Sequence, residues 1–248
     1  MTPSTGGLEP GSERWRERLT PMTDSPQKAR VPAWRRPTDG EHRWQVATVI
    51  VLTIAAQLAE PRQLTIHPHW LLPAVEGTFL AVLLLSNPGR INRDSVVLRS
   101  LSLTLVAVAS LANAWSLVQL INALLAGREG NSAGPLLLAA AGIWGTNIVV
   151  FALWYWEFDR GGPVARAHAH RAHPDFLFPQ MQTEELASGD WEPAFVDYLY
   201  VSYTNATAFS PTDTMPMSRW AKLLMLMQSA VSIVTVVLVV ARAVNIMR

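Results

Sequence analysis

The chain has 248 residues, half of them apolar, with 16 % charged and a formal net charge of +1. A charged share well under the roughly 25 % of ordinary soluble domains argues against a water-soluble fold. No basic segment is interleaved with aromatics or spaced for zinc, which excludes a nucleic-acid module, and zero cysteines exclude disulfides, thiolate catalysis and cysteine-ligated metals.

In chain order, residues 1–43 come first and mix Pro, Gly, Ser and both charge signs, with eight Lys or Arg and six Pro. They offer no periodic apolar face to bury, so they read as a disordered basic N-terminal tail. The basic, apolar, small-residue order of a cleavable leader is missing, so the first apolar span is expected to act as its own insertion signal. Arg30, Arg35, Arg36 and Arg43 abut that span and favour a cytoplasmic N-terminus, with anionic headgroups within reach.

Crossing a hydrocarbon core about 30 Å thick takes roughly 20 helical residues. Residues 100–127, 131–156 and 223–241 supply 28, 26 and 19 residues without a charge. Two shorter runs precede them: 44–59, with 16 residues, and 70–86, which contains Pro73 and Glu76. The expected fold is therefore all-α, a multi-pass cell-membrane protein embedded in the lipid bilayer, with about five transmembrane helices plus a re-entrant helix. Its parts are N-terminal membrane helices over 44–127 and a second unit over 128–248. Trp44, Trp70, Trp154, Trp156, Trp191 and Trp220 fall at the edges of the runs, where an amphipathic ring suits the headgroup layer. Asn113, Gln119, Asn122, Asn147 and Gln228 are expected to bond across helices, and Glu76 is the intramembrane acid whose burial costs most.

A polar loop over 157–193 opens with Glu157, Asp159, Arg160, Gly161, Gly162 and Pro163 and is expected to break the helix and leave the membrane. Within it His168, His170 and His173 could hold a metal or gather protons near pH of about 6.5. Spacings of two and three share no helix face and no acidic ligand is adjacent, so the expectation is a solvated loop with no metal and no cofactor.

From Phe195 the chain reads FVDYLYVSYTNATAFSPTDTMPMSRWAKLL. A short amphipathic stretch runs into a compact turn, then the basic pair Arg219 and Lys222, then a long apolar helix. Irregular backbone at membrane depth survives only where protein buries it or it lines a watery cavity, which makes this stretch a candidate re-entrant loop.

These residues resemble the two-helix pore module of potassium channels and their relatives. Tyr200, Ser202, Thr204 and Thr207 match the Thr-rich pore helix, Asp213 the acid that closes the filter, and Pro216 the proline after it, without a gap. The resemblance covers about the last 115 residues. It implies an outer helix over 134–156, a pore helix over 194–209, an inner helix over 219–246, and a homotetramer that passes monovalent cations along a shared axis. The stretch is also similar to uncharacterised bacterial integral membrane proteins.

The chain departs from that pattern at the filter. Ala208, Phe209, Ser210, Pro211 and Thr212 stand where the family has T-V-G-Y-G, so both glycines are gone. Filter glycines adopt backbone angles that cost other residues about 1–2 kcal/mol each, and proline fixes φ. A potassium-selective carbonyl ladder is therefore not expected; Thr207, Ser210, Thr212 and Asp213 would instead line a mouth suited to weakly selective cation passage. On the alternative reading, Asp213 caps the turn at Thr214 while Thr204 and Thr207 bond back to their own helix. The final helix lacks Gly and Pro, so no hinge is signposted.

Orientation is left open. Five crossings from a cytoplasmic N-terminus would bring Arg90, Arg93, Arg99, Arg160, Arg166, Arg171, Arg219 and Lys222 inside together with the pore segment. Potassium channels enter from outside, which would require one short run not to cross; alternatively 194–209 crosses completely, giving six spans with both termini inside. The alternatives to an ion channel are a non-conducting scaffold of channel-like architecture and a small transporter, although no repeated halves are visible. An enzyme is not expected: no Ser-His-Asp grouping, zinc motif, phosphate loop or carboxylate pair is present, and His67 and His69 flank Pro68 in an interfacial turn.

Overall fold

The computed structural model describes residues 31–59, 68–86, 89–91, 94–126, 133–207 and 213–246. Most of them are helical. The elements are α1 (Trp44–Ala59), α2 (Leu71–Ser86), α3 (Val96–Ala126), α4 (Ala133–Phe158), α5 (Pro163–Ala167), β1 (Phe176–Leu177), α6 (Pro179–Gln182), α7 (Phe195–Thr207), β2 (Met215–Pro216) and α8 (Arg219–Ile246). Among the described residues, three helical stretches are long and apolar enough to cross a membrane: Val96–Ala126, Leu137–Gly161 and Arg219–Ala241. Helices α1 and α2 have 16 residues each, about 24 Å of helix, short of a hydrocarbon core of about 30 Å.

The two short helices lie antiparallel. At one end the Gln57 amide donates to both carboxylate oxygens of Glu76, at 3.1 and 3.2 Å. At the other, the Arg43 guanidinium donates to the Leu83 carbonyl at 3.0 Å. Helix α4 is the hub, because its apolar surface is matched on several sides: Ala152 and Tyr155 are wholly buried, and α3, α7 and α8 all pack on it. Tyr155 packs on Phe176 from β1, and Phe158 on Trp220 from α8.

The expected disorder of residues 1–43 fails from residue 32 onward. Ala33–Arg35 form a 3-10 turn with Trp34 buried. The Trp34 carbonyl accepts from Arg160 at 2.6 Å, the Thr38 N–H donates to the Ala167 carbonyl at 2.8 Å, and the Ile91 N–H donates to the Glu41 carbonyl at 2.9 Å. Gly40 is required here: at φ +80° an added Cβ would sit 2.6 Å from the Ile91 carbonyl oxygen. Local composition suggested a tail because partners such as Ile91, Arg160 and Ala167 lie far along the chain. Residues 1–30 lie outside the described residues.

The opening of the 157–193 loop is also not solvated. Helix α4 runs on through Phe158, and Glu157, Asp159, Arg160 and Arg166 are all buried. The chain reverses at Arg160, Gly161 and Gly162, with φ of 53°, 89° and 97°. Trp156, assigned to the headgroup layer by its position, is buried and donates its indole N–H to Glu41 at 2.7 Å.

Helix α7 follows an unusual course. It starts with Phe195 edge-on to Trp156, at 6.1 Å between rings, and runs antiparallel to α4 until the Ser202 hydroxyl donates to the Ile148 carbonyl at 2.6 Å. Eight residues of α4 separate those two levels, about 12 Å. The chain then reappears at the starting end, where β2 pairs antiparallel with β1 (Phe176 opposite Pro216, Leu177 opposite Met215). Trp220, at the head of α8, packs on Phe158 at 5.5 Å. The 13 residues of α7 make about 20 Å of helix, and of the range 194–209 the last two residues lie outside the described residues.

Candidate functional site

The inner half of α7 is held by a polar network shared with α4 and α8. Gln228 on α8, wholly buried, donates its amide to the Ser202 hydroxyl at 2.6 Å and to the Ser202 carbonyl at 2.9 Å. Its amide oxygen accepts from the Tyr155 hydroxyl at 2.6 Å and from the Asn205 amide at 2.8 Å. Asn205 also donates to the Met225 carbonyl at 2.9 Å, and its own oxygen accepts from Ser229 at 3.1 Å. One turn or more along, Asn147 on α4 donates to Ser232 at 3.2 Å. In surroundings without water, each such group must find a partner inside the protein, and these do.

The residues singled out from the pore-like pattern are dispersed by this arrangement. The Thr204 hydroxyl donates back to the Tyr200 and Val201 carbonyls at 2.9 and 3.0 Å, and the Thr207 hydroxyl to the Thr204 carbonyl at 3.0 Å. Their side chains thus follow the helix-bonding alternative. Asp213 is exposed. Ala208, Phe209, Ser210, Pro211 and Thr212 lie outside the described residues, as does His67. Glu76 is 1 % exposed and belongs to a separate place, against Gln57. Opposite the network, α7 leaves Val196, Tyr200 and Tyr203 exposed along one face.

A second cluster closes the end where α4 stops. Asp159, 0 % exposed, accepts the Tyr198 hydroxyl at 2.6 Å and the N–H groups of Asp175 and Phe176 at 2.8 and 3.2 Å. Arg166 pairs with Glu41 at 2.6 Å and donates to the Trp156 carbonyl at 2.6 Å. Burial by itself lowers the Arg166 guanidinium, but Tyr198, Glu41 and Asp159 outweigh it and hold the group above the ordinary arginine range. The void beside this cluster holds only about 10 Å³, about one water's space. With Glu41 and Arg166 paired, Asp159 hydrogen-bonded and little space beside them, the cluster works as a clasp between the N-terminal segment, α4 and α7.

No family model, curated protein or solved structure matches this chain. The site is therefore judged on its own geometry. His168, His170 and His173 are exposed, and among the described residues no group of three His, Asp or Glu is placed to hold a metal. Sequence reasoning missed Tyr155, Asn205, Tyr198 and the pair Glu41 with Arg166. The i, i+3 spacing of Ser202 and Asn205 is a readable signal, since it puts two polar groups on one face of α7. Nothing local marks Glu41 and Arg166, which are 125 residues apart.

Proposed function

We propose that this chain is one subunit of an oligomeric, channel-like membrane protein that passes monovalent cations with weak selectivity. The course of α7 carries the reading: a helix too short to cross enters beside Trp156, reaches Ile148, and the chain returns to the same end at Trp220. In sequence, residues 208–212 join the inner end of α7 to that return. A backbone that reverses inside a bilayer needs a protein or watery lining, and other copies of the chain around an axis supply one. The exposed face of α7, with Tyr200 and Tyr203, and the exposed apolar face of α8, with Leu223 and Leu226, are available for such packing.

On this reading α1 and α2 also cross, with local bilayer thinning covering their short length. Arg43, Arg90, Arg99, Arg166, Arg219 and their neighbours then share one end, which the Lys/Arg bias assigns to the cytoplasm. The re-entrant segment opens on that side, opposite to potassium channels.

The test is flux of potassium and sodium from liposomes holding the purified protein, together with the subunit count in lipid nanodiscs. Both ions pass at comparable rates through an oligomer if the reading is right. A monomer, or an oligomer that leaks no faster than protein-free liposomes, overturns it.

A specific observation favours a second reading, a non-conducting scaffold. The hydroxyls of Ser202, Thr204 and Thr207 and the amide of Asn205 are all engaged within the subunit. A stable oligomer without flux is its signature.

A further inference from the structure

A cavity of about 310 Å³ opens at the arginine-bearing end, between α1, α2, the start of α3 and the Gly161–Gly162 turn. One wall is apolar: Val46 and Ile50, a turn apart on α1, together with Leu80 and Leu83 on α2, all four buried. The lining also carries three guanidinium groups, those of Arg43, Arg99 and Arg171.

Two of the three converge on one turn. Arg99 donates to the Gly161 carbonyl. A Cβ at Gly162 would lie 3.1 Å from an Arg99 nitrogen, and one at Gly161 would lie 3.4 Å from the Arg171 Nε. Arg43 spends one nitrogen on the Leu83 carbonyl and keeps a buried Nε without a partner. Burial lowers the Arg43 guanidinium below its ordinary value, with the Glu157 carboxylate opposing.

Among the described residues, none of these three closes an ion pair with a carboxylate, whereas Arg35, Arg36, Arg90 and Arg166 each do. The acids of the cavity are Asp94 and Glu157, and Glu157 already accepts the Ser102 hydroxyl. Three arginines against two acids leave the lining at +1 with His170 neutral. A lining that combines under-used guanidiniums with aliphatic side chains fits a ligand with an anionic head and an apolar stem.

We infer that this cavity binds the headgroup of an anionic phospholipid, with its phosphate on Arg43, Arg99 and Arg171 and its first methylenes along Val46, Ile50, Leu80 and Leu83. Guanidinium forks match phosphate oxygens in pairs, and basic pockets between membrane helices are the places where headgroups lodge. A soluble anion would leave the aliphatic wall uncovered, and a neutral apolar ligand would leave the arginines unpaired. The inference does not depend on conduction.

The test is native mass spectrometry of delipidated protein titrated with phosphatidylglycerol, phosphatidylcholine or inorganic phosphate. Two variants accompany it: Arg171→Gln, whose backbone carbonyl keeps its bond from Arg160, and Leu80→Phe, which fills the apolar wall. Phosphatidylglycerol binds one per chain, and each variant weakens it about ten-fold while unfolding at the wild-type temperature. Equal binding of phosphatidylcholine, or unchanged binding by both variants, overturns the assignment. Displacement of the lipid by inorganic phosphate at matching concentration also overturns it, in favour of a soluble-anion site.

Discussion

Gln228 on α8 donates to both the hydroxyl and the backbone carbonyl of Ser202 on α7, at 2.6 and 2.9 Å. That pair of hydrogen bonds ties the half-length helix to the final one where both side chains are wholly buried. Replacing Gln228 by Leu leaves Tyr155, Asn205 and Ser202 short of partners, and an orphaned buried polar group costs about 1–3 kcal/mol. The expected result is a lower unfolding temperature in detergent both for Gln228→Leu and for Gln228→Glu, which keeps the accepting oxygens but loses the N–H donor to Ser202. Equal stability of all three proteins would show that the network is dispensable.

The clasp makes a sharper prediction. Arg166 and Glu41 lie 2.6 Å apart with side chains 4 % and 7 % exposed. Removing one member of a buried pair strands the other charge, at about 3–5 kcal/mol, whereas removing both together costs much less. Glu41→Gln and Arg166→Gln are each expected to reduce the folded, monodisperse fraction on size-exclusion chromatography, and the double variant to recover part of it. Additive losses would mean that the two side chains act independently.

Conduction separates Asp213 from the threonines. If residues after α7 line a passage, Asp213→Asn lowers cation flux several-fold by removing a carboxylate ring. Thr204→Val and Thr207→Val leave flux unchanged, because those hydroxyls already bond their own helix. Flux that ignores Asp213 but falls with Thr207→Val would reverse the assignment of lining residues.

Glu192 gives a pH dependence. Burial raises its carboxyl above the usual glutamate value, with the Thr38 hydroxyl bond partly opposing. A carboxyl raised in the folded state favours folding most at pH below its unfolded value. That contribution is lost as pH rises through the higher folded value. The pH at which wild type begins to lose stability on the alkaline side of the usual carboxylate range is thus expected to coincide with ionisation of Glu192. In Glu192→Gln the same segment of the thermal-stability profile flattens. Parallel profiles for the two proteins would assign the dependence to other groups.

The helices were readable from the sequence to the extent that the information was local. Uncharged length alone marks α3, α4 and α8. What escaped was long-range. Arg160 and Asp159 follow an apolar helix and precede two glycines, a pattern that ordinarily signals exit into water. Here their partners, the Trp34 carbonyl, Tyr198 and the backbone at Asp175, come from three other parts of the chain. Trp156 was placed in the headgroup layer for the same reason, since position along the chain does not reveal that Glu41 awaits its indole.

The bond from Arg160 to the Trp34 carbonyl also carries a message about order of assembly. A ribosome has released Trp34 long before Arg160 or Arg166 exists, so the bonds from those two arginines join the N-terminal flank later than its bonds to Gly89, Arg90 and Ile91. Only after residue 166 of 248 can the buried pair of Glu41 and Arg166 close, which makes the completion of this end a late step in folding.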